Sequence, residues 1–328
     1  MKAVVVEQYA PVDQIGLKET AMPVAGPGQV RVRVQAASIG FVDGLKVEGR
    51  YQTKDPLPFT PGAEFAGVVE AVGAGVTHLG VGDRVAYAAP KPGAYCEVRV
   101  LDATHVCRLP DGIDFETGAA MMLKGLTVNY LLRRTLPVEG LAPGDMILFH
   151  AAAVGHGLIA CQWARALGLE LIGTAGSDEK CALAKAYGAA HMINYRSEDF
   201  VERVKEITGG KGVKVVYDSV GKDTFDGSLS CLRPFGLMAL FGSSSGVPAP
   251  VATSVLAAKG SLYLTRPTLF THLSSRERTQ AMADELFQVV RDGTVKIRID
   301  QRYPLAQAAQ AHRDLEARTT TGCSVLLP

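Results

Sequence analysis

The chain contains 328 residues, of which 47% are hydrophobic and 20% are charged, and its formal net charge is +1. This apolar content supports folded cores and argues against extended disorder, and the balanced charge does not favour a nucleic-acid or acidic-membrane partner. At roughly 150 residues per domain, two domains are expected.

One uncharged segment, between Asp145 and Arg165, is long enough in principle to cross a bilayer. It contains His150 and Gln162 and is interrupted by glycines, so we interpret it as a buried strand followed by a helix. The six cysteines are scattered without C-x-x-C spacing, which indicates neither a disulfide framework nor a redox pair. We therefore expect a cytoplasmic protein with no membrane or nucleic-acid partner.

The first third of the chain is predicted to be β-rich. Segments 1–7, 30–35 and 65–72 are rich in β-branched residues. Two glycine-rich turns follow, and a further strand is predicted at Arg84–Tyr87. Many short strands separated by glycine turns indicate a small barrel or sandwich.

From Asp114 onward, strands and helices alternate. A helix over 114–135 is predicted, with Asp114 as its N-cap and two arginines near its negative end. The following strands are predicted at 146–150, 169–174, 191–195, 213–218 and 237–241, separated by helices at 158–167, 177–187, 197–207 and 224–232. Continuous apolar strands separated by helices indicate a parallel sheet covered on both faces, as in a doubly wound α/β unit.

The C-terminal part is predicted to add a sixth strand within 259–265 and a helix that begins at Ser274 or Ser275. Ser274 and Glu277 have the spacing of a capping box, and an apolar stripe follows on that helix. A short helix and a strand at 324–327 complete the chain. The simplest architecture is a β-rich domain that is interrupted by the doubly wound unit and completed by the C-terminal residues.

A strand–turn–helix segment at 147–158 opens the doubly wound unit. Such a turn binds pyrophosphate at the helix N-terminus, where N–H groups and the helix dipole favour negative charge. Aligned with the pattern G-x-G-x-x-G, Ala152, Val154 and Gly157 occupy the three glycine positions. Gly157 preserves close packing of the helix, but the β-branched Val154 is expected to obstruct the pyrophosphate or to strain the turn. His156, when protonated, could offer charge to phosphate, although a solvent-facing histidine is the simpler interpretation.

The end of the second strand distinguishes the two nicotinamide cofactors. A free ribose 2′-hydroxyl is usually bound there by Asp or Glu, whereas this strand ends without a carboxylate at its tip. Ser177, Lys180 and Tyr195 are candidates to receive a 2′-phosphate, although Lys180 could also be an ordinary exposed helix residue. The sequence therefore predicts NADPH, with Asp178 and Glu179 as residues that would repel the phosphate if they pointed inward.

Several further motifs are specific in combination. They are PGAEFAG at 61–67, GDRV at 82–85, LKGLT at 123–127, VYDSVG at 216–221, FGSSSG at 241–246 and LTRP at 264–267. Together with the glycine turn, they resemble the zinc-free, zeta-crystallin-like quinone oxidoreductases of the medium-chain dehydrogenase/reductase superfamily, and the bacterial NADPH:quinone reductases in particular. The resemblance spans essentially the whole chain.

The resemblance implies a GroES-like catalytic domain formed by residues 1–124 and 267–328, and a Rossmann domain at 125–266 with NADPH in the cleft between the two. It also implies a homodimer, through the edge strand near Leu262–Thr265. By position, it implies cofactor contacts from Phe41, Val42, Asp43, Tyr130, Gly155, His156, Gly176, Ser177, Lys180, Tyr195, Val220, Ser244, Ser245, Gly246, Val247, Leu269, Phe270, Thr271 and Arg318. For most of the apolar residues in this set, core packing is an equally good explanation.

Two departures from the family pattern concern the active site. Gly40 and Leu45 stand where relatives commonly carry Asn and Tyr beside the nicotinamide, so cofactor affinity and site polarity are expected to differ. The zinc-dependent relatives carry an early catalytic cysteine and a histidine before the Glu of a G-H-E motif. Here Ala63 occupies the histidine position and no cysteine precedes Cys96, so no zinc is expected.

The chemistry that the resemblance implies is hydride transfer from NADPH to an electron-poor acceptor that the protein orients and desolvates. A quinone suits this chemistry because water can supply its protons, so no catalytic acid or base is assigned. Asp43, Tyr51, Tyr130 and Arg266 are candidates for the substrate cleft, with structural or cofactor-positioning roles open for them. Two alternatives remain: an NADPH-dependent reductase of α,β-unsaturated carbonyls, and a non-enzymatic RNA-binding or structural protein with an impaired cofactor site.

Overall fold

The computed structural model describes residues 1–88, 91–135, 140–317 and 319–328. The chain divides into two compact units. The terminal unit comprises Met1–Leu126, His272–Asp292 and Ile297–Pro328, and the central unit comprises Thr127–Thr271 and Gly293–Lys296.

The strands of the described residues are short in the terminal unit and regularly spaced in the central unit. They are β1 (Lys2–Val5), β2 (Gly16–Glu19), β3 (Gln29–Ser38), β4 (Glu64–Val72), β5 (Arg84–Ala88), β6 (Val98–Asp102), β7 (Val106–Arg108), β8 (Met146–Phe149), β9 (Glu170–Ala175), β10 (His191–Asn194), β11 (Val213–Asp218), β12 (Leu232–Leu240), β13 (Tyr263–Thr265), β14 (Ile299–Pro304) and β15 (Cys323–Leu327).

The α-helices of the described residues mostly connect these strands. They are α1 (Phe41–Val47), α2 (Phe115–Arg134), α3 (Gly155–Ala166), α4 (Asp178–Ala186), α5 (Phe200–Ile207), α6 (Phe225–Ser230), α7 (Thr253–Ala258), α8 (Leu269–His272), α9 (Arg276–Arg291) and α10 (Ala308–Glu316). Among the described residues, none of these helices meets the length and apolarity needed to span a bilayer.

The central unit is built on a six-stranded parallel sheet in the order β10-β9-β8-β11-β12-β13. This is the order of a Rossmann fold, so the predicted doubly wound unit is confirmed. All six residues of β11 are buried, because helices cover both faces of the sheet and leave no solvated side. In such folds, ligands bind at the carboxyl ends of the strands. The site is next to the two central strands, here β8 and β11, whose following connections run in opposite directions along the sheet.

The terminal unit is the β-rich part of the fold, which the sequence motifs predicted to be GroES-like. Its larger sheet has the order β14-β15-β3-β4-β5-β7, with β6 also paired to β3, and β1 and β2 form a separate antiparallel pair. Strand β3 buries Val30, Val32 and Val34 while the residues between them are more exposed. This alternation is typical of a strand with one face on a hydrophobic core.

Several element boundaries differ from the sequence prediction. Helix α3 begins three residues earlier than predicted, α5 begins only after Asp199 caps it, and α7 was not predicted. The predicted capping box of Ser274 with Glu277 is wrong. Ser275 is the N-cap of α9, because its backbone is extended (φ −143°) and its hydroxyl accepts the N–H of Arg278 at 3.3 Å.

Candidate active site

The turn that follows β8 is bonded to the strands on both sides of it. His150 N donates to Tyr217 O at 3.1 Å, and Ala152 N donates to Thr174 O at 3.0 Å. Between them, Ala151 has a left-handed backbone with φ 57°, which is unusual for a residue with a Cβ. The turn is therefore held in a defined shape by β9 and β11.

The start of α3 lies directly against this turn. A Cβ at Gly157 would lie 2.4 Å from Ala151 O, so only glycine fits there, and the predicted role of Gly157 in close helix packing is confirmed. No side chain caps the first turn of α3. A helix start of this kind presents N–H groups and a positive dipole end to an anion.

Two predictions about this turn need correction. Val154 has an extended backbone (φ −128°, ψ 160°), so it does not strain the turn, and the left-handed residue is Ala151 instead. The Val154 side chain is 38% exposed, which leaves the predicted steric obstruction open. His156 does not simply face solvent: it is half-buried, and its ring centroid lies 6.1 Å from that of Phe241.

The end of β9 brings together three of the residues predicted to receive a 2′-phosphate. Tyr195 N donates to Ala175 O at 3.1 Å, and the Tyr195 hydroxyl lies 2.6 Å from where a Cβ at Gly176 would be. Ser177 caps α4 by accepting the N–H of Lys180 at 3.3 Å. Because Gly176 has no side chain, the Tyr195 hydroxyl can lie over the strand end beside the Ser177 cap.

The two acidic residues in the first turn of α4 do not behave alike. Asp178 Oδ1 accepts a hydrogen bond from Asn194 Nδ2 at 2.8 Å. Glu179 is exposed, and a hydrogen bond from the Ser177 hydroxyl lowers its pKa. The Glu179 carboxylate therefore contacts Ser177, one of the three residues predicted to bind the 2′-phosphate.

The loops that follow β11 and β12 are bonded to each other at the same edge of the sheet. Ser244 N donates to Ser219 O at 3.1 Å, and Ser245 donates to Val220 O through both its N (2.9 Å) and its Oγ (2.9 Å). A Cβ at Gly221 would lie 2.6 Å from Gly246 O, which excludes any larger residue there. Val247 is 80% exposed at the tip of the second loop.

The last strand of the sheet supplies the remaining central-unit candidates. Arg266 follows β13 and is exposed, and its Nη1 donates to Leu240 O at 2.8 Å. In α8, Leu269 is buried, Phe270 is half-buried and Thr271 is exposed. Thus all the predicted contacts of the central unit follow carboxyl ends of strands, except Tyr130, which is buried in α2.

In the terminal unit, helix α1 carries Phe41, Val42 and Asp43. Phe41 is 45% exposed, Val42 is half-buried and Asp43 is fully buried. Asp43 Oδ2 accepts the N–H of Gly40 at 2.9 Å and the hydroxyl of Tyr95 at 3.3 Å, whereas its Oδ1 is buried without a hydrogen-bond partner. Burial raises the pKa of Asp43 to about 6.

The hydroxyl of Tyr95 also lies 3.1 Å from Nε2 of His312, on α10. Burial lowers the pKa of His312 to about 4, so its imidazole is neutral at physiological pH. Tyr95 thus connects a carboxyl that resists ionisation with an imidazole that resists protonation.

The position next to Ala63 holds a buried ion pair. Lys124 Nζ donates to Glu64 Oε1 at 2.5 Å and to Ser38 Oγ at 2.7 Å, and Leu123 N donates to Glu64 Oε2 at 2.7 Å. Within the described residues, no group of three or more His, Cys, Asp or Glu side chains is arranged to hold a metal ion.

Other predicted site residues are less informative. Tyr51 is half-buried, and the Lys46 ammonium lies 5.5 Å from its ring centroid. Gly40 precedes α1 with an extended backbone, and Leu45 is half-buried. Arg318 lies outside the described residues.

Comparisons with known proteins cover both units. The family model "Alcohol dehydrogenase GroES-like domain" matches residues 26–134, and the model "Zinc-binding dehydrogenase" matches residues 155–288. The quinone oxidoreductase of Pseudomonas aeruginosa is 53% identical over 303 residues, which are 92% of this chain and 92% of that protein. The chain belongs to the quinone oxidoreductase family.

Two further relatives are informative. The crystal structure of Escherichia coli quinone oxidoreductase complexed with NADPH is 45% identical, with a TM-score of 0.96 over 100% of both chains. The 2-haloacrylate reductase of a Burkholderia species is 42% identical over 100% of this chain and 99% of that protein. The resemblance drawn from the sequence motifs is therefore confirmed.

This member of the quinone oxidoreductase family also contains site residues that the sequence did not single out. His150, Asp218 and Ser228 form a buried polar network at the carboxyl edge of the central sheet. In the terminal unit, the Tyr95 hydroxyl contacts both Asp43 and His312. For Asp218, a signal was available, because an Asp at the end of a strand is typical of an Asx turn. The other four have distant partners in the sequence and gave no local signal.

Proposed function

We propose that this protein is an NADPH-dependent reductase that transfers a hydride to a quinone. The observation that carries the proposal is the carboxyl edge of the central sheet. There, the uncapped start of α3, the Ser177–Lys180–Tyr195 cluster and the paired loops after β11 and β12 lie on consecutive strands of one doubly wound sheet. The NADPH complex of a relative with 45% identity supports the same assignment.

The residues at this edge fit a dinucleotide. Glycines at 157, 176 and 221 stand where a Cβ would collide with neighbouring atoms, so backbone is brought close to the space above the strand ends. The start of α3 would bind the diphosphate through its N–H groups and dipole. Ser177, Lys180 and Tyr195 would bind the 2′-phosphate, each through a hydrogen bond to a charged group worth about 1.5–3 kcal/mol.

Bound NADPH would supply a hydride from C4 of its nicotinamide. The part of this chain in the reaction would be to hold the dinucleotide, orient the acceptor and exclude water. Reduction of a quinone can be completed by protons from water, so this assignment requires no catalytic acid. Asp43, Tyr51, Tyr130 and Arg266 stay candidates for the acceptor side of the site, with Asp43 the one whose protonation changes near neutral pH.

The proposal is tested by cofactor consumption with a panel of quinones. We expect saturable turnover with NADPH and a much lower kcat/KM with NADH. Equal rates with NADPH and NADH would contradict the assignment of Ser177, Lys180 and Tyr195 as the residues that bind the 2′-phosphate. Absence of turnover with every quinone of the panel would contradict the proposal that the acceptor is a quinone.

Reduction of an electron-poor alkene is the second candidate, because the 2-haloacrylate reductase is 42% identical over the entire chain. That reaction uses the same hydride but also requires a proton at the α-carbon. Comparing 2-haloacrylates and enones with quinones, under one NADPH concentration, separates the two. Higher kcat/KM for the alkenes than for the quinones would favour this candidate.

A non-enzymatic role is tested by NADPH titration. Absence of saturable binding at millimolar NADPH would favour a protein that has lost its cofactor site, as Val154 suggested from the sequence.

We also propose a cytoplasmic homodimer that forms through β13. This strand lies at the end of the sheet order of the described residues, and Tyr263 is 49% exposed on it. An edge strand with free backbone groups can pair with a second copy. Light scattering of wild-type protein and of a Leu264→Pro variant tests this, and a monomeric wild-type mass would contradict it.

A further inference from the structure

A chain of four buried polar side chains runs beneath the turn that follows β8. The His150 ring lies between Thr174 Oγ1, 3.0 Å from its Nδ1, and Ser228 Oγ, 3.0 Å from its Nε2. Ser228 Oγ in turn donates to Asp218 Oδ2 at 2.9 Å. None of the four residues is more than 2% exposed.

The direction of every hydrogen bond in this chain is fixed by the donors at one end. Asp218 Oδ1 accepts the N–H groups of Val220 (2.7 Å) and Gly221 (3.0 Å), and its Oδ2 accepts the hydroxyls of Thr224 (2.7 Å) and Ser228. Since the Ser228 hydrogen is committed to Asp218, the Ser228 oxygen can only accept from His150 Nε2–H.

The same logic fixes the tautomer of His150. A neutral imidazole has one N–H, so Nδ1 is an acceptor and takes the hydroxyl hydrogen of Thr174. Burial lowers the pKa of His150, opposed by the negative charge of Asp218, so the neutral ring persists at physiological pH. Each member of the chain thereby has its hydrogen-bonding groups satisfied, which makes the arrangement rigid.

These four residues connect the segments that would surround a diphosphate. His150 immediately precedes Ala151, the left-handed residue of the β8–α3 turn, and Thr174 belongs to β9. Asp218 ends β11 and shapes the turn at 219–221, which is bonded to the loop after β12 through Ser244 and Ser245. A change at His150 would therefore affect both the β8–α3 turn and the turn at 219–221.

We propose that His150, held as its Nε2–H tautomer by Thr174, Ser228 and Asp218, is a positioning residue that sets the shape of the diphosphate-binding loops before the cofactor arrives. This inference rests on the proposed function. It assigns a role to residues that do not themselves reach the ligand, since all four side chains are buried. Preformed loops lower the entropic cost of ordering them when the cofactor binds. Disruption of the His150 network should therefore weaken cofactor affinity rather than slow the hydride-transfer step.

Two pairs of variants test the proposal. Thr174→Val removes the hydroxyl at nearly constant volume, whereas Thr174→Ser keeps it. Ser228→Ala breaks the link between His150 and Asp218, with Thr208→Val as its matched control. Thr208 is also a buried hydroxyl of the central unit, donating to Val204 O at 2.8 Å, but it precedes the opposite, amino end of β11.

The first readout uses the protein without cofactor. In ¹⁵N NMR of the histidine side chains, we expect His150 of the wild type to be protonated at Nε2 only, and Thr174→Val and Ser228→Ala to give tautomer mixtures. Amide hydrogen exchange at 151–154 and 219–221 should accelerate in those two variants and stay unchanged in Thr174→Ser and Thr208→Val.

The second readout is NADPH affinity by fluorescence titration. We expect the Kd to rise about 10-fold in Ser228→Ala and Thr174→Val, corresponding to about 1.4 kcal/mol, with kcat and the quinone KM within about twofold of wild type. Thr174→Ser should bind as the wild type does. Unchanged Kd in both disruptive variants, or an Nδ1-protonated His150 in the wild type, would overturn the inference alone. Absence of NADPH binding by the wild type would overturn the proposed function with it.

Discussion

Lys124 and Glu64 form a buried ion pair in the terminal unit, with Nζ 2.5 Å from Oε1 and side chains that are only 8% and 1% exposed. Ser38 and the backbone of Leu123 satisfy the remaining groups of the pair. Burial lowers the pKa of Lys124, whereas the negative charge of Glu64 raises it. The net change is an increase, so Lys124 stays protonated. The pair lies next to Ala63, where the zinc-dependent relatives have a histidine.

Removing one partner of this pair should be strongly destabilising. Lys124→Met leaves the Glu64 carboxylate buried without its counter-charge, and we expect a loss of about 3–5 kcal/mol in the free energy of unfolding. Urea denaturation checks this value. The exposed pair of Lys205 with Glu202 provides the control, since Lys205→Met should leave the urea midpoint unchanged. Equal midpoints for the two variants would show that the Lys124 pair is not effectively buried.

Asp43 should make the terminal unit less stable as the pH rises. Its folded pKa of about 6 lies above the ordinary aspartate value of 3.8, so the folded state binds the proton more tightly than the unfolded state. Stability from this group is therefore fully present below about pH 4 and is lost as the pH rises to about 6, by about 3 kcal/mol. Asp43→Asn cannot ionise and should gain stability relative to wild type over that interval, measured by urea unfolding at several pH values.

Asp102 supplies the control of opposite sign. Hydrogen bonds from Thr104 lower the pKa of Asp102, so its stabilisation is present at neutral pH and is lost as the pH falls. Asp102→Asn should therefore lose stability relative to wild type as the pH rises. If Asp43→Asn followed the same direction as Asp102→Asn, the burial argument for Asp43 would be wrong.

The preference for NADPH should depend on the Ser177 cluster. Lys180→Met removes a positive charge expected to contact the 2′-phosphate, so the ratio of kcat/KM for NADPH over NADH should fall by about 10- to 100-fold. Lys185→Met, on the exposed face near the end of the same helix, should leave that ratio unchanged. An unchanged ratio in Lys180→Met would place the discriminating contacts elsewhere.

Val154 should weaken binding of the diphosphate through its side chain alone. Its backbone is unstrained and its side chain is 38% exposed at the start of α3. Val154→Gly should therefore lower the Kd for NADPH by about 3- to 10-fold, or roughly 1 kcal/mol, in a fluorescence titration. Val81→Gly, at an exposed valine of the terminal unit, is the control. Weaker binding in Val154→Gly would mean that backbone flexibility at this position outweighs the steric gain.

The central sheet could be predicted from the sequence because buried parallel strands are continuous apolar runs. Strand β11 was predicted with its observed bounds, Val213–Asp218. The start of α3 was missed because its first turn contains Gly155 and Gly157, and glycine is a weak helix former, whereas α7 has no buried residue to create a periodic pattern.

The polar networks could not be predicted, because their partners are far apart in the chain. Ser228 follows His150 by 78 residues, and His312 follows Tyr95 by 217 residues. Only the order of the strands brings these pairs together, and a single sequence contains no local signal for such contacts. Sequence motifs found the loops at the edge of the sheet, whereas the side chains that hold those loops in shape required the fold.

The most direct measurement is a crystal structure of this protein grown with saturating NADPH. We predict that the diphosphate lies over the start of α3, and that the 2′-phosphate lies within hydrogen-bond distance of Ser177, Lys180 or Tyr195. A dinucleotide bound away from the carboxyl edge of the central sheet, or an edge that stays empty with Val154 filling the diphosphate position, would contradict this account.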